Sequence, residues 1–104
     1  MNLDKNYGNL LLDFYKDLLT KRQTEVLEYY FSDDYSMQEI AEELNISKSA
    51  VSDNIHRALE QLESYEEKLK LISDYKARMK IYDKMKKIDN EEVQKLLKNL
   101  IEIE

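Results

Sequence analysis

The stretch from Ser36 to Leu62 constrains the fold more than any other part of this chain, because it carries the start and stop signals of two helices in close succession. Ser36 is followed three residues later by Glu39, which is the spacing of a capping box, in which the serine and glutamate side chains each accept a backbone N–H at a helix start. Asn45 tolerates the left-handed conformation that ends many helices. Ser47 is a typical cap for a second helix. The stretch therefore predicts two helices joined by a tight turn.

The apolar residues on both sides of this turn recur with the period of an α-helix. In the first predicted helix they fall at positions i, i+3, i+4 and i+7, and in the second they again lie on one side. These residues are Met37, Ile40, Ala41 and Leu44, followed by Val51, Ile55, Ala58, Leu59 and Leu62. The small Ala41 lets the two helices approach closely, and Ile46 fills the corner between them. The pattern predicts a helix-turn-helix over residues 36–62.

The other side of the second helix is polar. It carries short or charged side chains near the helix N-terminus: Lys48, Ser49, Ser52, Asp53 and His56. A helix that presents such groups at its N-terminal end fits the major groove of duplex DNA. His56 is the only histidine of the chain, and an exposed lone histidine is usually solvated, so we expect no metal site.

Composition limits the rest of the chain to helices. A chain of 104 residues with one glycine, no proline and abundant Leu, Glu, Lys and Ile contains almost nothing that breaks a helix. Cysteine is absent, which excludes disulfides, thiolate chemistry and the usual zinc clusters. Neither a catalytic Ser/His/Asp set nor a glycine-rich phosphate loop is present, so we expect neither an enzyme nor a cofactor. The sequence predicts an all-α protein.

Hydropathy bears on the location of the protein. No apolar run approaches the length of about 18 residues that a membrane-spanning helix needs. No charged-then-apolar leader of the secretory type opens the chain. We therefore expect no membrane insertion and a cytoplasmic protein.

Two further helices are predicted before the helix-turn-helix. An amphipathic helix runs from about Leu3 to Leu18. Thr20 and Gln23 then form a second capping box, and the helix that they open extends to about Phe31. The expected core face of this helix is Val26, Leu27 and Tyr30.

After the turn, the apolar positions alternate spacings of four and three, which is the heptad pattern of a coiled coil. The series runs Val51, Ile55, Ala58, Leu62, Tyr65, Leu69 and Ile72. It then changes phase, so one continuous helix could not keep a single face inward, and we expect a kink or break between about Lys70 and Asp74. Asp89 with Glu92 makes a third capping box, which opens a last helix to about Ile101. The apolar stripe of that helix is Val93, Leu96, Leu97 and Leu100.

These boundaries predict two parts. Residues 1–70 form a helical domain that contains the helix-turn-helix (36–62), and residues 71–104 form a helical C-terminal extension. A small domain has little surface to cover so long a heptad seam. We therefore expect the extension to pack on the core or on a partner subunit, which leaves a homodimer open.

Charge is distributed unevenly between these parts. The net charge is −6, and residues 18–70 hold six Lys or Arg against twelve Asp or Glu. Cations that neutralise phosphates supply much of nucleic-acid affinity, so this acidic balance weighs against strong DNA binding. The basic stretch lies elsewhere, as a lysine stripe at helical spacing: Lys76, Lys80, Lys84 and Lys87. This basic stripe is either a solvated face or an electrostatic footprint for RNA or another acidic partner.

Several segments carry a family resemblance. The segment LTKRQTEVLEYYF, followed by YSMQEIAEELNISKSAVSDNIHRALEQLE, resembles region 4 of sigma-70-type factors. The opening NYGNLLLDFYKDLLTKRQ and the tail EKLKLISDYKARMKIYDKMKK are similar to those of the YlxM family of small bacterial proteins. The resemblance implies an all-α helix-turn-helix bundle like sigma-70 region 4, with a long C-terminal helical extension. YlxM proteins are proposed accessories of the signal recognition particle.

The resemblance also implies roles for individual residues and partners. Lys21 and Arg22 would contact backbone phosphate, and the recognition helix would contact nucleic acid through Ser47, Lys48, Ser49, Ser52, Asp53, His56 and Arg57. The expected partner is the GTPase of the signal recognition particle or its RNA. The alternative is a transcription regulator that binds duplex DNA through the recognition helix. A third hypothesis is an interaction module that dimerises through the heptad seam.

Overall fold

The computed structural model describes residues 4–104, which form six α-helices joined by short segments. The helix bounds are Lys5–Tyr15 (α1), Lys21–Leu27 (α2), Met37–Leu44 (α3), Lys48–Leu69 (α4), Leu71–Lys86 (α5) and Glu91–Ile103 (α6). A 3₁₀ turn follows α1 at Lys16–Leu18, and a π-helical segment follows α2 at Glu28–Ser32. Because no strand occurs in these described residues, the predicted all-α class is confirmed.

The first two α-helices begin at side-chain caps. The Asp4 carboxylate accepts a hydrogen bond from the Asn6 N–H at 3.0 Å and so caps α1. The predicted start of this helix at Leu3 lies outside the described residues. The capping box of Thr20 and Gln23 is confirmed, with both of its reciprocal hydrogen bonds formed. These caps satisfy N–H groups that have no partner within their own helix.

The helix that begins with α2 was predicted to continue to Phe31, but it becomes π-helical after Leu27. A π-turn bonds residue i to i+5 and so holds one residue more than an α-turn. Phe31 is therefore buried, and Tyr30, which was predicted to face the core, is partly buried and packs against the core cluster. Gly8 of α1 leaves room for the Phe31 ring, since a Cβ at Gly8 would lie 2.3 Å from it.

The chain divides into two compact units, and the first ends at Ile72. One cluster of apolar side chains from α1, α2, the π-helical segment, α3, α4 and the start of α5 forms the core of this unit. The cluster includes the central apolar residues of the predicted helix-turn-helix: Ile40, Ala41, Val51, Ile55, Ala58, Leu59 and Leu62. Burial of a Leu, Ile or Val side chain contributes about 1.5–3 kcal/mol, so these contacts hold the motif to the rest of the unit.

The break predicted between about Lys70 and Asp74 is confirmed. α4 ends at Leu69 because Lys70 adopts the left-handed conformation (φ 56°, ψ 29°), and α5 begins at the next residue. The Lys70 N–H donates to the Glu66 carbonyl at 2.8 Å, which completes the last turn of α4.

Tyr15 of α1 forms hydrogen bonds to residues on both sides of this break. Its hydroxyl donates to the Glu66 carboxylate at 2.6 Å and accepts from the Leu71 N–H at 3.2 Å. The same carboxylate accepts from the Ile72 N–H at 2.9 Å. Burial, together with the hydrogen bond to Glu66, raises the pKa of Tyr15 above its ordinary value. The first N–H groups of α5 are thus satisfied by side chains of α1 and α4.

Most apolar residues of the heptad series before the break pack within the chain itself. Four of its members have no exposed surface and belong to the core cluster of the first unit: Val51, Ile55, Ala58 and Leu62. Leu69, in the last turn of α4, is half exposed. A dimer through this seam stays a prediction, and the four buried residues have no surface left for a second copy.

The second unit, Ser73–Glu104, contains most of α5 and all of α6. Among its described residues, Tyr82 and Leu97 are the buried apolar side chains. The predicted apolar stripe of α6 is therefore largely exposed, with Leu96 55% and Leu100 42% accessible. Packing of residues 71–104 on the core or on a partner stays a prediction.

The cap of α6 differs from the predicted one, so the capping box of Asp89 and Glu92 is wrong. The cap is Asn90, whose backbone is extended (φ −149°, ψ 122°) and whose side-chain oxygen accepts from the Val93 N–H at 3.1 Å. Both Asp89 and Asn90 have suitable side chains, and the extended backbone decides between them. The Gln94 amide then donates to carbonyls at the end of α5 and in the following turn.

Candidate nucleic-acid interface

The N-terminal part of α4 is the candidate recognition helix. The Ser47 hydroxyl accepts a hydrogen bond from the Ala50 N–H at 3.0 Å, which confirms the predicted cap. Val51 and Ile55 fix one side of the helix, since neither has exposed surface. The accessible residues at this end of the helix are Ser47, Lys48, Ser49, Asp53, His56 and Arg57, which are exposed, and Ser52, which is partly exposed. These seven residues form one accessible surface, which we call the recognition face, and their role in binding stays a prediction.

The turn before α4 positions this face. Asn45 is left-handed (φ 54°, ψ 47°), as predicted. Its N–H donates to the Glu42 carbonyl at 3.4 Å, and the Ile46 N–H donates to the Ala41 carbonyl at 3.1 Å. These bonds satisfy the last carbonyls of α3. Ile46 packs against the core cluster, so the turn is held from both ends.

The charges on the recognition face are partly paired. The Arg57 guanidinium donates to the Asp53 carboxylate at 3.2 Å, one helical turn away. Both side chains are mostly exposed, so the pair contributes little to stability. Its effect is electrostatic, because Arg57 offsets a carboxylate that would repel phosphate. The face is left with the charge of Lys48 in excess.

His56 is oriented by the backbone carbonyl of Ser52, which lies 2.8 Å from its Nδ1. A carbonyl oxygen only accepts hydrogen bonds, so Nδ1 carries the proton, and Nε2 of the neutral ring is an acceptor. A neutral His56 can therefore accept from the amino group of adenine or cytosine at the edge of a base pair.

Lys21 and Arg22 lie in the first turn of α2, and both are exposed. The Arg22 Nε lies 4.0 Å from the Glu25 carboxylate, at the outer limit of an ion pair. Half of the Arg22 side chain remains accessible, so a phosphate can reach it. The backbone-phosphate role of these two residues stays a prediction.

The basic stripe of the second unit is exposed at all four positions: Lys76, Lys80, Lys84 and Lys87. The first three lie on α5, whereas Lys87 follows the last residue of that helix. Nearby, Arg78 is paired with Glu104, and Lys86 lies 3.9 Å from Asp83. Within residues 4–104, the structure shows no ion pair of the four stripe lysines with a carboxylate. Among the described residues, no ion pair therefore offsets the positive charge of the stripe.

One feature near the recognition face was not predicted from the sequence. The Lys5 ammonium lies 4.7 Å from the centroid of the Tyr30 ring and is paired with the Asp34 carboxylate. These residues line a groove together with Tyr35 and Lys48, which we call the tyrosine groove. Its residues come from three places far apart in the sequence: Lys5, residues 30–39 and Lys48. The only local signal is the run of aromatic and acidic residues in EYYFSDDY.

Two classes of feature are not found in the part of the chain that the structure describes. No group of three or more His, Cys, Asp or Glu side chains there is placed to hold a metal ion. None of the helices there has the length and apolar character needed to cross a membrane.

Comparison with known proteins agrees with this architecture. The sequence profile of family UPF0122, described as a helix-turn-helix protein of the YlxM / p13 type, matches residues 3–102. The UPF0122 protein lin1916 of Listeria innocua is 49% identical over 80 residues, which cover 77% of this chain and 73% of the relative. A UPF0122 protein of Lactococcus lactis subsp. cremoris is 50% identical over 88 residues, or 84% of this chain and 79% of the relative. The chain therefore belongs to the UPF0122 family of YlxM/p13-like helix-turn-helix proteins.

Proposed function

We propose that this protein binds nucleic acid through the recognition face of α4 and is an accessory of the signal recognition particle. The observation that carries the binding proposal is the recognition face, whose seven polar residues are accessible at the start of a helix that is anchored by the fully buried Val51 and Ile55. A helix held in this way presents its polar side without rearrangement. The helix-turn-helix description of the family supports the same function.

The residues of the face have chemistry suited to this role. Lys48 is placed to contact phosphate at the start of the helix. His56 can accept from base amino groups through Nε2, because its Nδ1 bonds to the Ser52 carbonyl, and Asp53 can accept from the amino group of cytosine. Arg57 holds Asp53 at 3.2 Å, so the two supply a donor and an acceptor side by side. This set favours contact by hydrogen bonds over strong electrostatic attraction.

The basic stripe supplies the attraction that the face lacks. Phosphate neutralisation by Lys and Arg accounts for most non-specific nucleic-acid affinity. The recognition face has a single positive charge in excess, whereas the four stripe lysines are exposed and unpaired within the described residues. We assign the stripe the long-range attraction of the nucleic acid and the recognition face its close contacts.

The resemblance to YlxM proteins supports the particle's RNA or its GTPase as the partner, in the cytoplasm. RNA is our first choice, because the stripe attracts a polyanion. The assigned role is binding, without catalysis.

The second candidate function is duplex DNA binding by a transcription regulator. Lys21 and Arg22 favour it, because both are exposed at a helix start in the helix-turn-helix unit. Phosphate contacts of this kind fix the register of a protein on duplex DNA. A homodimeric interaction module is the third candidate, and a monomer in sedimentation experiments would count against it.

Fluorescence anisotropy separates these functions. The full chain is titrated against labelled particle RNA, promoter-like duplex DNA and the particle's GTPase, each at several salt concentrations. We expect the RNA to bind most tightly, with an affinity that falls as salt rises. Lys80→Glu with Lys84→Glu is expected to reduce the salt slope by about 0.7–0.9 for each phosphate that the variant no longer neutralises.

Matched variants identify the surface that binds. Lys48→Ala with Arg57→Ala removes cations of the recognition face, and Lys95→Glu with Lys98→Glu is a double charge reversal on α6 of the second unit. The first pair should weaken RNA binding, and the second should change it little. Tight, sequence-selective duplex binding that Lys48→Ala abolishes would favour the transcription regulator. Failure of every nucleic acid to bind at low salt would contradict the proposal.

A further inference from the structure

The tyrosine groove shares Lys48 with the recognition face, and its other residues have no role in the function proposed above. Its volume of about 450 Å³ falls within the range of about 300–1,000 Å³ that small-molecule sites occupy. Its lining includes Lys5, Tyr30, Asp34, Tyr35 and Lys48, all in the first unit. We infer that the groove binds one unpaired nucleotide of the nucleic acid held by the recognition face, an inference that rests on the proposed function.

The irregular backbone beside the groove explains how it forms. Within the π-helical segment, Tyr30 is partly buried against the core cluster and also lines the groove, and Asn9 of α1 fixes that segment in place. The Asn9 amide donates to the Phe31 carbonyl at 2.7 Å, and the Ser32 hydroxyl donates to the Asn9 side-chain oxygen at 2.8 Å. The left-handed Asp34 (φ 57°) follows directly. π-helical segments occur frequently at functional sites, which fits a groove built for a ligand.

Both tyrosine rings of the groove are held by other aromatic rings. Tyr35 stacks on Tyr29, with centroids 4.9 Å apart and planes at 22°. Tyr30 meets Phe31 edge to face, with centroids 5.1 Å apart. A nucleic-acid base stacks on such fixed aromatic surfaces whatever its identity, because every base has a π-face. The Lys5 ammonium lies over the Tyr30 ring, so an unpaired base that stacks on Tyr30 takes the place of this ammonium. A base that is paired inside a stem cannot enter the groove in this way.

The charges of the groove favour a nucleotide over a more acidic ligand. Two lysines, Lys5 and Lys48, face two carboxylates, Asp34 and Glu39, along its lining. Asp34 is paired with Lys5, and Glu39 accepts the Ser36 N–H at 3.1 Å in its capping box. The lining has no positive charge in excess, so it is poorly suited to an acidic peptide. Among the described residues, Lys48 forms no ion pair with a carboxylate, so it can bind one phosphate while the base lies on the rings.

Lys48 connects the groove to the recognition face, since it belongs to both. A nucleic acid that follows the start of α4 therefore reaches the groove at the same lysine. The ligand expected from this placement is a stem with an adjacent bulged or looped-out nucleotide. Such unpaired nucleotides are the usual targets of sequence-tolerant aromatic contacts in RNA.

Two RNA hairpins with identical stems test this inference. One is fully paired, and the other carries a single bulged 2-aminopurine, whose fluorescence falls when it stacks. We expect the full-length protein to bind the bulged hairpin about tenfold more tightly and to quench its fluorescence. Tyr30→Leu should remove both effects, whereas Tyr30→Phe, which keeps the ring, should retain them. Tyr7→Leu, at an exposed tyrosine outside the groove, is the matched control.

The outcomes separate the groove from the proposed function. Lys48→Ala with Arg57→Ala should weaken binding of both hairpins, and Tyr30→Leu only the bulged one. Should Tyr30→Leu lose helicity in circular dichroism, Tyr35→Leu takes its place with the same expected result. Equal wild-type affinity for the two hairpins, or quenching that persists in both Leu variants, would contradict nucleotide binding by the groove. Neither result would contradict the proposed function. Absence of binding to either hairpin would overturn both.

Discussion

The two units keep their helices in place by different means. The first buries fourteen apolar side chains in one cluster, whereas Tyr82 and Leu97 are the buried apolar side chains of the second among its described residues. Polar contacts at helix ends are prominent in the second unit. Gln94 donates to the Ile88 carbonyl at 2.8 Å, and Glu104 accepts from the Tyr82 hydroxyl at 3.1 Å. Exposed polar contacts stabilise far less than core burial, so we expect the second unit to open first.

This difference separates the two candidate binding surfaces. The recognition face lies on a helix backed by the core cluster, whereas most of the basic stripe lies on α5 within the second unit. Local opening is most frequent where few apolar contacts are buried. A ligand bound at the stripe would therefore stabilise the second unit more than the first. We expect hydrogen exchange with and without RNA to show this.

The largest effect is expected from truncating the core. Ile55 has no exposed surface, and Ile55→Ala should reduce the free energy of unfolding by about 2–5 kcal/mol. Leu97→Ala, the matched truncation in the second unit, should cost less in global unfolding, because exposed neighbours can close around the gap. Urea unfolding followed by circular dichroism, with amide exchange for each unit, measures both. Equal losses of unfolding free energy in Ile55→Ala and Leu97→Ala would contradict the difference in core burial between the two units.

Close packing inside the first unit predicts the next effect. Gly8→Ala places a Cβ 2.3 Å from the Phe31 ring, and such overpacking costs about 1–3 kcal/mol. Alanine is the better helix former by about 1 kcal/mol, so a net loss of stability shows that the clash dominates. Asn99→Ala on the exposed side of α6 is the control and should be neutral or slightly stabilising. A stabilising Gly8→Ala in thermal unfolding would contradict the packing described here.

The two units can also be compared through one helix cap in each, because both caps accept a backbone N–H. Ser47→Ala and Asn90→Ala each remove a side chain that accepts a backbone N–H, at a cost of about 1 kcal/mol each. Because Ser47 caps a helix of the core cluster, its loss should appear in global unfolding. Loss of the Asn90 cap should appear mainly as faster exchange of the Val93 amide. If Asn90→Ala and not Ser47→Ala lowered the global free energy of unfolding, the expected order in which the two units open would be reversed.

The smallest effect concerns an exposed ion pair of the first unit. The hydrogen bond and charge of Lys5 hold the pKa of Asp34 below its ordinary value. A carboxyl with a lowered pKa in the folded state stabilises the protein above its unfolded-state pKa, and this contribution disappears as the pH falls through the folded-state pKa. Because Asp34 is exposed, we expect only a slight change in stability under acid.

Nuclear magnetic resonance titration of the Asp34 carboxyl checks this. Lys5→Met should return its pKa towards the ordinary range, while Lys68→Met, at an exposed position of α4, should leave it unchanged. An Asp34 pKa that does not respond to Lys5→Met would show that the pair does not persist in solution. Whether or not the ion pair persists, the free energy of unfolding of the first unit should change little, because burial of its core contributes far more than this exposed pair.

Much of the fold was predictable because its signals are local. The capping boxes at Thr20 and Ser36, the cap at Ser47 and the left-handed Asn45 each depend on a few neighbouring residues, and all are confirmed. The cap of α6 was misplaced because adjacent residues there have equally suitable side chains. Their backbone conformation, which the sequence pattern does not encode, decided for Asn90.

The features that could not be predicted depend on distant contacts. The π-helical segment lies where Phe31 packs against Gly8, 23 positions earlier in the chain, so periodicity within the segment alone did not predict that Phe31 is buried while Tyr30 is only partly buried against the core cluster. The tyrosine groove joins Lys5 to Lys48 across even more of the sequence. The residues of the recognition face were predictable as a group because one helix carries them all. Their accessibility follows from the buried side of the same helix.

The hydrogen bonds of Tyr15 also bear on how the protein is synthesised. The hydroxyl of this α1 residue bonds to Glu66 and Leu71, which lie 51 and 56 positions further along the chain. At about 5–20 residues per second, a ribosome adds those residues about 3–10 s after Tyr15. Contacts between distant residues also form late, because closing the intervening loop costs entropy. The N-terminal helix therefore cannot complete its contacts until the end of α4 has been made, which couples the maturation of the first unit to translation beyond it.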